Sequence, residues 1–118
     1  MTNYTKGRGF EYWVKHLLEK HNYLVFRTAG SHSPADLIAF DHNCTYFIQC
    51  KTGKELNKAR LTAQVTHEFN QLKLPYNPNL NYYLFIKEDR KEPEFLLLNA
   101  VFYRWSKVSE VWKNDMDW

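Results

Sequence analysis

A chain of 118 residues with 44% apolar and 17% aromatic side chains has the size of one domain and is too apolar to be disordered. Its formal charge of +3 is uneven: residues 1–75 hold ten Lys/Arg against six Asp/Glu, and residues 76–118 hold six against seven. No apolar run is long enough to cross a bilayer and none follows Lys6 and Arg8 as in a secretion signal, so a cytoplasmic, intracellular protein with no membrane partner is expected.

Phe10, Trp13, Val14, Leu17 and Leu18 recur at helical spacing and predict a helix from Lys6 to Lys20, closed by Asn22. Tyr23–Thr28 reads as a strand, and Ala29 to Pro34 as a loop rich in Gly, Ser and Pro. Two strands follow, Ala35–Phe40 and Cys44–Lys51, with Asp41, His42 and Asn43 as the tight turn between them. A second helix is predicted over Leu61–Leu74, with Leu61, Val65, Phe69 and Leu72 on one face and a loop containing Pro75 and Pro78 after it. Tyr82–Lys87 and Glu94–Leu98 read as strands separated by a charged turn. In the tail, Val101, Trp105, Val108 and Trp112 are spaced for a dimer contact or for ordinary core packing. The order α-β-β-β-α-β-β predicts an α/β fold, a mixed central sheet flanked by helices. No repeat or linker divides the chain, so residues 1–118 are expected to form one domain. A domain this small buries a modest share of its surface, which favours oligomers.

Asp36 lies early in one strand of the predicted hairpin, and Gln49, Cys50 and Lys51 end the next. The register places Asp36 close to Gln49, and alternation points Gln49 and Lys51 to one face and Cys50 to the other. This set suits a hard divalent ion, Mg²⁺ with Mn²⁺ as a substitute: a carboxylate from Asp36, an amide oxygen from Gln49 and the backbone carbonyl of Cys50. Lys51 stands beside it, able to hold a water or a phosphate. Glu11 is in line with Val14 and Leu18, on the edge of the apolar face, a costly place for an unpartnered charge. The plainer alternative is a surface pair with Lys15, four residues on. Zinc is not expected, since there is no CxxC and the histidines do not cluster. Cys44 and Cys50 would sit about 20 Å apart along one strand, too far to bridge.

Four segments resemble the archaeal-type Holliday junction resolvases of the PD-(D/E)XK nuclease superfamily. Lys6-Gly7-Arg8-Gly9-Phe10-Glu11 is similar to their Lys-Gly opening before a catalytic Glu. Arg27-Thr28-Ala29-Gly30-Ser31 resembles their Arg…Gly-Ser segment. Pro34-Ala35-Asp36-Leu37-Ile38-Ala39 resembles their Pro-Asp-Leu-Ile-Ala strand with one extra residue, and Ile48-Gln49-Cys50-Lys51 falls where they have Glu-Val-Lys. The resemblance covers roughly residues 6–100 and implies a restriction-endonuclease-like core. It also implies a metal-dependent endonuclease that acts on branched DNA, a four-way junction, as a homodimer. Its catalytic residues would be Glu11, Asp36, Gln49 and Lys51, with Glu11 joining Asp36 and Gln49 in holding the metal and Arg27 and Ser31 holding the phosphate. Lys6, Arg8, His32, Lys54, Lys58 and Arg60 are candidate DNA contacts. For Lys54, Lys58 and Arg60 a solvated lysine-rich loop is an equal reading; for His32, and for Arg27 and Ser31 taken alone, a surface or loop position is the plainer one. Gln64 can face the site or solvent. Gln49 departs from the family's Glu and removes one negative charge. Two alternatives stay open: a restriction, homing or repair nuclease on the same fold with the same catalytic residues, and a non-catalytic DNA-binding module, which Gln49 favours.

Overall fold

A computed structural model describes residues 3–28, 33–72 and 78–98, with side chains from residue 7 onward. Its elements are α1 (Asn3–Lys20), β1 (Leu24–Arg27), β2 (Leu37–Phe40), β3 (Thr45–Gly53), α2 (Lys58–Asn70), β4 (Leu80–Glu88) and β5 (Glu94–Leu97). The five strands form one sheet in chain order, antiparallel except for the parallel pair β3–β4 that α2 connects. This is the α/β fold with a mixed sheet that the order of elements predicts.

Helix α1 forms because Phe10, Val14 and Leu18 fall on one stripe and are buried against the sheet with Val25, Leu37, Ile48 and Phe85. It stops at Asn22, whose φ of 69° is left-handed. The amides of Asn22 and Tyr23 turn back to the carbonyls of Glu19 and Leu18 at 3.0 and 3.1 Å, satisfying helix-end acceptors. The opposite face of the sheet packs on α2 through Val65, Phe69, Leu84, Ile86 and Ala35. The predicted turn at 41–43 is tied by Asp41, which accepts from the amides of Asn43 and Cys44 at 2.8 and 2.6 Å and from the Tyr46 hydroxyl at 2.9 Å.

Several boundaries differ from expectation, each for a local reason. Helix α2 begins three residues before Leu61, because the Asn57 side chain accepts from the Arg60 amide at 3.0 Å and caps it. Strand β2 begins at Leu37, because the Cys50 amide donates to the Asp36 carboxylate at 2.8 Å instead of to a backbone carbonyl. Strand β3 runs on to Gly53 and β4 to Glu88, because these two residues still face each other in the parallel ladder. The candidate dimer contact of the tail, Val101, Trp105, Val108 and Trp112, lies outside the described residues. Among the described residues no helix is long and apolar enough to cross a membrane.

Candidate active site

The carboxyl ends of β1 and β3 and the start of β2 meet at one end of the sheet, and most of the candidate residues converge there. Carboxyl ends of strands are where α/β sheets place ligands, since the chain must turn away and leave a crevice. Leu37 faces Ile48 in the last pair of the β2–β3 ladder, and Asp36 and Gln49 each lie one residue beyond it. The Asp36 amide donates to the Ile48 carbonyl at 2.8 Å, and its carboxylate accepts from the Cys50 amide at 2.8 Å. Asp36 is thereby fixed in position by backbone on both sides.

Burial raises the Asp36 carboxyl above its usual range, and the charge of Glu68 pushes the same way. The Cys50 amide, Lys51 and Arg27 oppose the shift. Glu11 is also raised, first by burial and then by the charge of Asp36, with Arg27 and Arg8 opposing. Two acids that resist ionisation at one spot call for positive charge, because each makes the other's ionised form costlier. Cys50 packs toward the α1 side, and burial, together with the nearby Asp36 and Glu11 charges, holds its thiol far above the usual range.

Arg27 reaches this cluster from β1. Its Nη2 lies 3.3 Å from Glu11 Oε1, its Nη1 donates to the Tyr12 hydroxyl at 3.2 Å, and its guanidinium carbon lies 4.6 Å from the centre of the Tyr12 ring. The alternative pairing of Glu11 with Lys15 is not formed: Lys15 Nζ donates to Glu19 at 2.8 Å.

Gln49 is the other telling side chain. It is 7% exposed, and among the described residues its buried Oε1 has no hydrogen-bond partner. A buried amide oxygen without a donor costs about 1–3 kcal/mol, which a ligand at that point would offset. The residues present therefore fit a hard cation, offering a carboxylate and an unfilled amide oxygen side by side. Among the described residues no three His, Cys, Asp or Glu side chains are grouped to hold a metal.

The remaining candidates are more scattered. Lys51 follows Gln49 on β3, half-buried, and its charge acts on Asp36. Arg8 is exposed at the start of α1 with its charge acting on Glu11. Lys54 and Arg60 are exposed near the start of α2, while Lys58 is paired with Glu94 at 2.7 Å. Gln64 is exposed and donates to Glu68 at 3.3 Å. Ser31, His32 and the Lys6 side chain lie outside the described residues. Sequence reasoning missed Tyr12, the second hold on Arg27, and Glu68, the acid that α2 brings toward Asp36.

No family model and no curated protein sequence matches the chain. Among solved structures it is similar to Archaeoglobus fulgidus Hjc, a Holliday junction resolvase from an archaeal hyperthermophile. The TM-score is 0.52 at 21% identity, over 79% of this chain and 73% of that one. At that identity the likeness establishes the shared fold.

Proposed function

We propose that the protein is a metal-dependent, structure-selective DNA endonuclease that resolves four-way junctions. The observation that carries this reading is the pairing of Asp36, fixed by two backbone hydrogen bonds, with the orphaned oxygen of Gln49, at the edge of a site where Arg27 is also held. The shared fold with a Holliday junction resolvase supports it.

Asp36, Gln49 and the backbone carbonyl of Cys50 are the groups that would hold Mg²⁺, or Mn²⁺ in its place. A bound divalent ion would lower the pKa of a coordinated water and offset phosphate charge. The chain's own residues do the rest. Lys51 presents an ammonium next to Asp36 that can hold the attacking water or a phosphate oxygen. Arg27, braced by Glu11 and Tyr12, offers a guanidinium suited to two phosphate oxygens at once. Hydrolysis joins the water oxygen to phosphorus and breaks one P–O ester bond. Arg8, Lys54 and Arg60 supply exposed positive charge for backbone tracking. Junction resolution needs two symmetric cuts, so the active species under this reading is a homodimer.

A nicking assay with Mg²⁺ on a four-way junction, a linear duplex and a flap tests the proposal. Paired nicks in the junction, with the linear duplex left intact, are expected. Cleavage of all three substrates would make it a nuclease of another kind. Binding with no cleavage would make it a DNA-binding module that lost its chemistry at Gln49.

A further inference from the structure

We propose that Glu68 of α2 supplies the carboxylate that Gln49 lacks, completing a divalent-cation site with Asp36 and the Gln49 side-chain oxygen. The proposal rests on the nuclease reading above for the presence of a metal. It adds to the donors named there a second acid, taken from α2.

The sheet register puts the three residues on one face. Gln49 faces Leu84 across the parallel ladder, and Leu84 packs in one buried cluster with Val65 and Phe69 of α2. Directly opposed residues on neighbouring strands share a face, so Gln49 projects on the α2 side. Asp36 lies just before the Leu37–Ile48 pair that ends the β2–β3 ladder, and Ile38, two residues on and so on the same face, packs against the same α2 cluster. Glu68 is three residues after Val65 and adjoins Phe69, which puts it on the inward flank of α2, half-buried. It is near enough for its charge to act on Asp36.

Partner chemistry separates the two candidate acids. Glu11 already has a cationic partner, Arg27, at 3.3 Å. Glu68 is hydrogen-bonded by the neutral amide of Gln64 at 3.3 Å, and among the described residues no cationic side chain pairs with it. Two carboxylates on the α2 side of the sheet, with an unfilled, nine-tenths buried amide oxygen on that side too, form an oxygen-only set that suits a divalent cation. One acid on the strand, one on the crossover helix and an amide between them leave the site with two negative charges despite the glutamine.

Mn²⁺ binding to the full chain, followed by electron paramagnetic resonance of the free ion, tests this without relying on activity. Glu68→Gln preserves shape and the contact with Gln64, and should weaken Mn²⁺ binding roughly tenfold or more. Glu11→Gln should change it much less. The exchange Gln49→Glu with Glu68→Gln, which moves the charge back to the strand, should restore binding, and that rescue excludes misfolding as the cause. Wild type that binds Mn²⁺ with Glu68→Gln binding equally well would overturn the proposal while leaving the nuclease reading intact. Wild type that binds no Mn²⁺ would overturn both.

Discussion

The Cys50 amide, which regular pairing would direct to a β2 carbonyl, donates at 2.8 Å to the carboxylate of Asp36. The ladder between β2 and β3 ends there, and the acid gains a fixed orientation from the same bond. An asparagine can accept that hydrogen bond through its amide oxygen, but it carries no charge. Asp36→Asn should therefore keep the fold and junction binding while abolishing cleavage, as measured by gel shift and nicking on one junction. Undiminished cleavage would remove Asp36 from the site.

The same acids set a pH dependence of stability. Asp36 and Glu11 are both raised above their ordinary values of 3.8 and 4.5. The folded state therefore binds more protons than the unfolded chain just above those values. Their contribution is fully present below them and is lost as pH rises through the folded pKa values. In metal-free protein the thermal midpoint of wild type, minus that of the Asp36→Asn, Glu11→Gln double variant, should fall as pH rises from about 4 toward neutral. A difference that climbs with pH would show that the carboxylates are stabilised, not penalised, by their setting.

Gln49 should trade stability for metal binding. Its orphaned oxygen costs about 1–3 kcal/mol, and a methionine of similar length has no such oxygen. Gln49→Met should raise the metal-free melting temperature on the order of 5 °C. Addition of Mn²⁺ should then no longer raise it further. A destabilised methionine variant would mean that the amide oxygen has a donor after all.

Much of the frame is legible in the sequence, and the misses have a common cause. The order of elements follows from hydrophobic period, and the Asp36–Gln49 pairing follows from a hairpin only three turn residues long. The start of α2 was placed late because Asn57, a cap, precedes the first apolar residue of the stripe. Tyr12 went unnoticed because its partner Arg27 is 15 residues away, on a different element. Glu68 reads locally as a polar neighbour of Gln64, and only the packing of Val65 and Phe69 with Ala35 and Leu84 sets it on the flank of α2 that lies toward the sheet.

Tyr12 grips Arg27 through both its ring and its hydroxyl, so two substitutions separate the contributions. Tyr12→Phe keeps the cation–π contact and loses the hydrogen bond, whereas Tyr12→Ala loses both. A cation–π contact at an exposed site contributes about 0.5–1 kcal/mol, so the alanine variant should bind junction DNA roughly 2–5-fold more weakly than the phenylalanine variant. Steady-state kinetics should place the loss in KM more than in kcat if Arg27 serves to hold the phosphate. Identical KM values for all three proteins would leave Tyr12 a bystander.

Junction affinity should fall steeply with salt. If about six phosphates are neutralised, the dissociation constant should rise on the order of a thousandfold between 50 and 200 mM monovalent salt. Fluorescence anisotropy over that range gives the slope directly. A flat response would argue against any surface that tracks the phosphate backbone.

The parallel pairing of β3 with β4 has a consequence for how the molecule assembles. Parallel neighbours cannot be joined by a tight turn, so the chain must run through α2 before Leu84 can meet Gln49. The antiparallel run of β1, β2 and β3 has short connections and can form early, already bringing Arg27, Asp36 and Gln49 together. Closing the crossover carries the larger loop entropy and is expected to come later. Half of the proposed cation site would then exist in a partly folded chain, with Glu68 delivered only when the helix docks. Divalent ions should accordingly slow unfolding much more than they speed refolding.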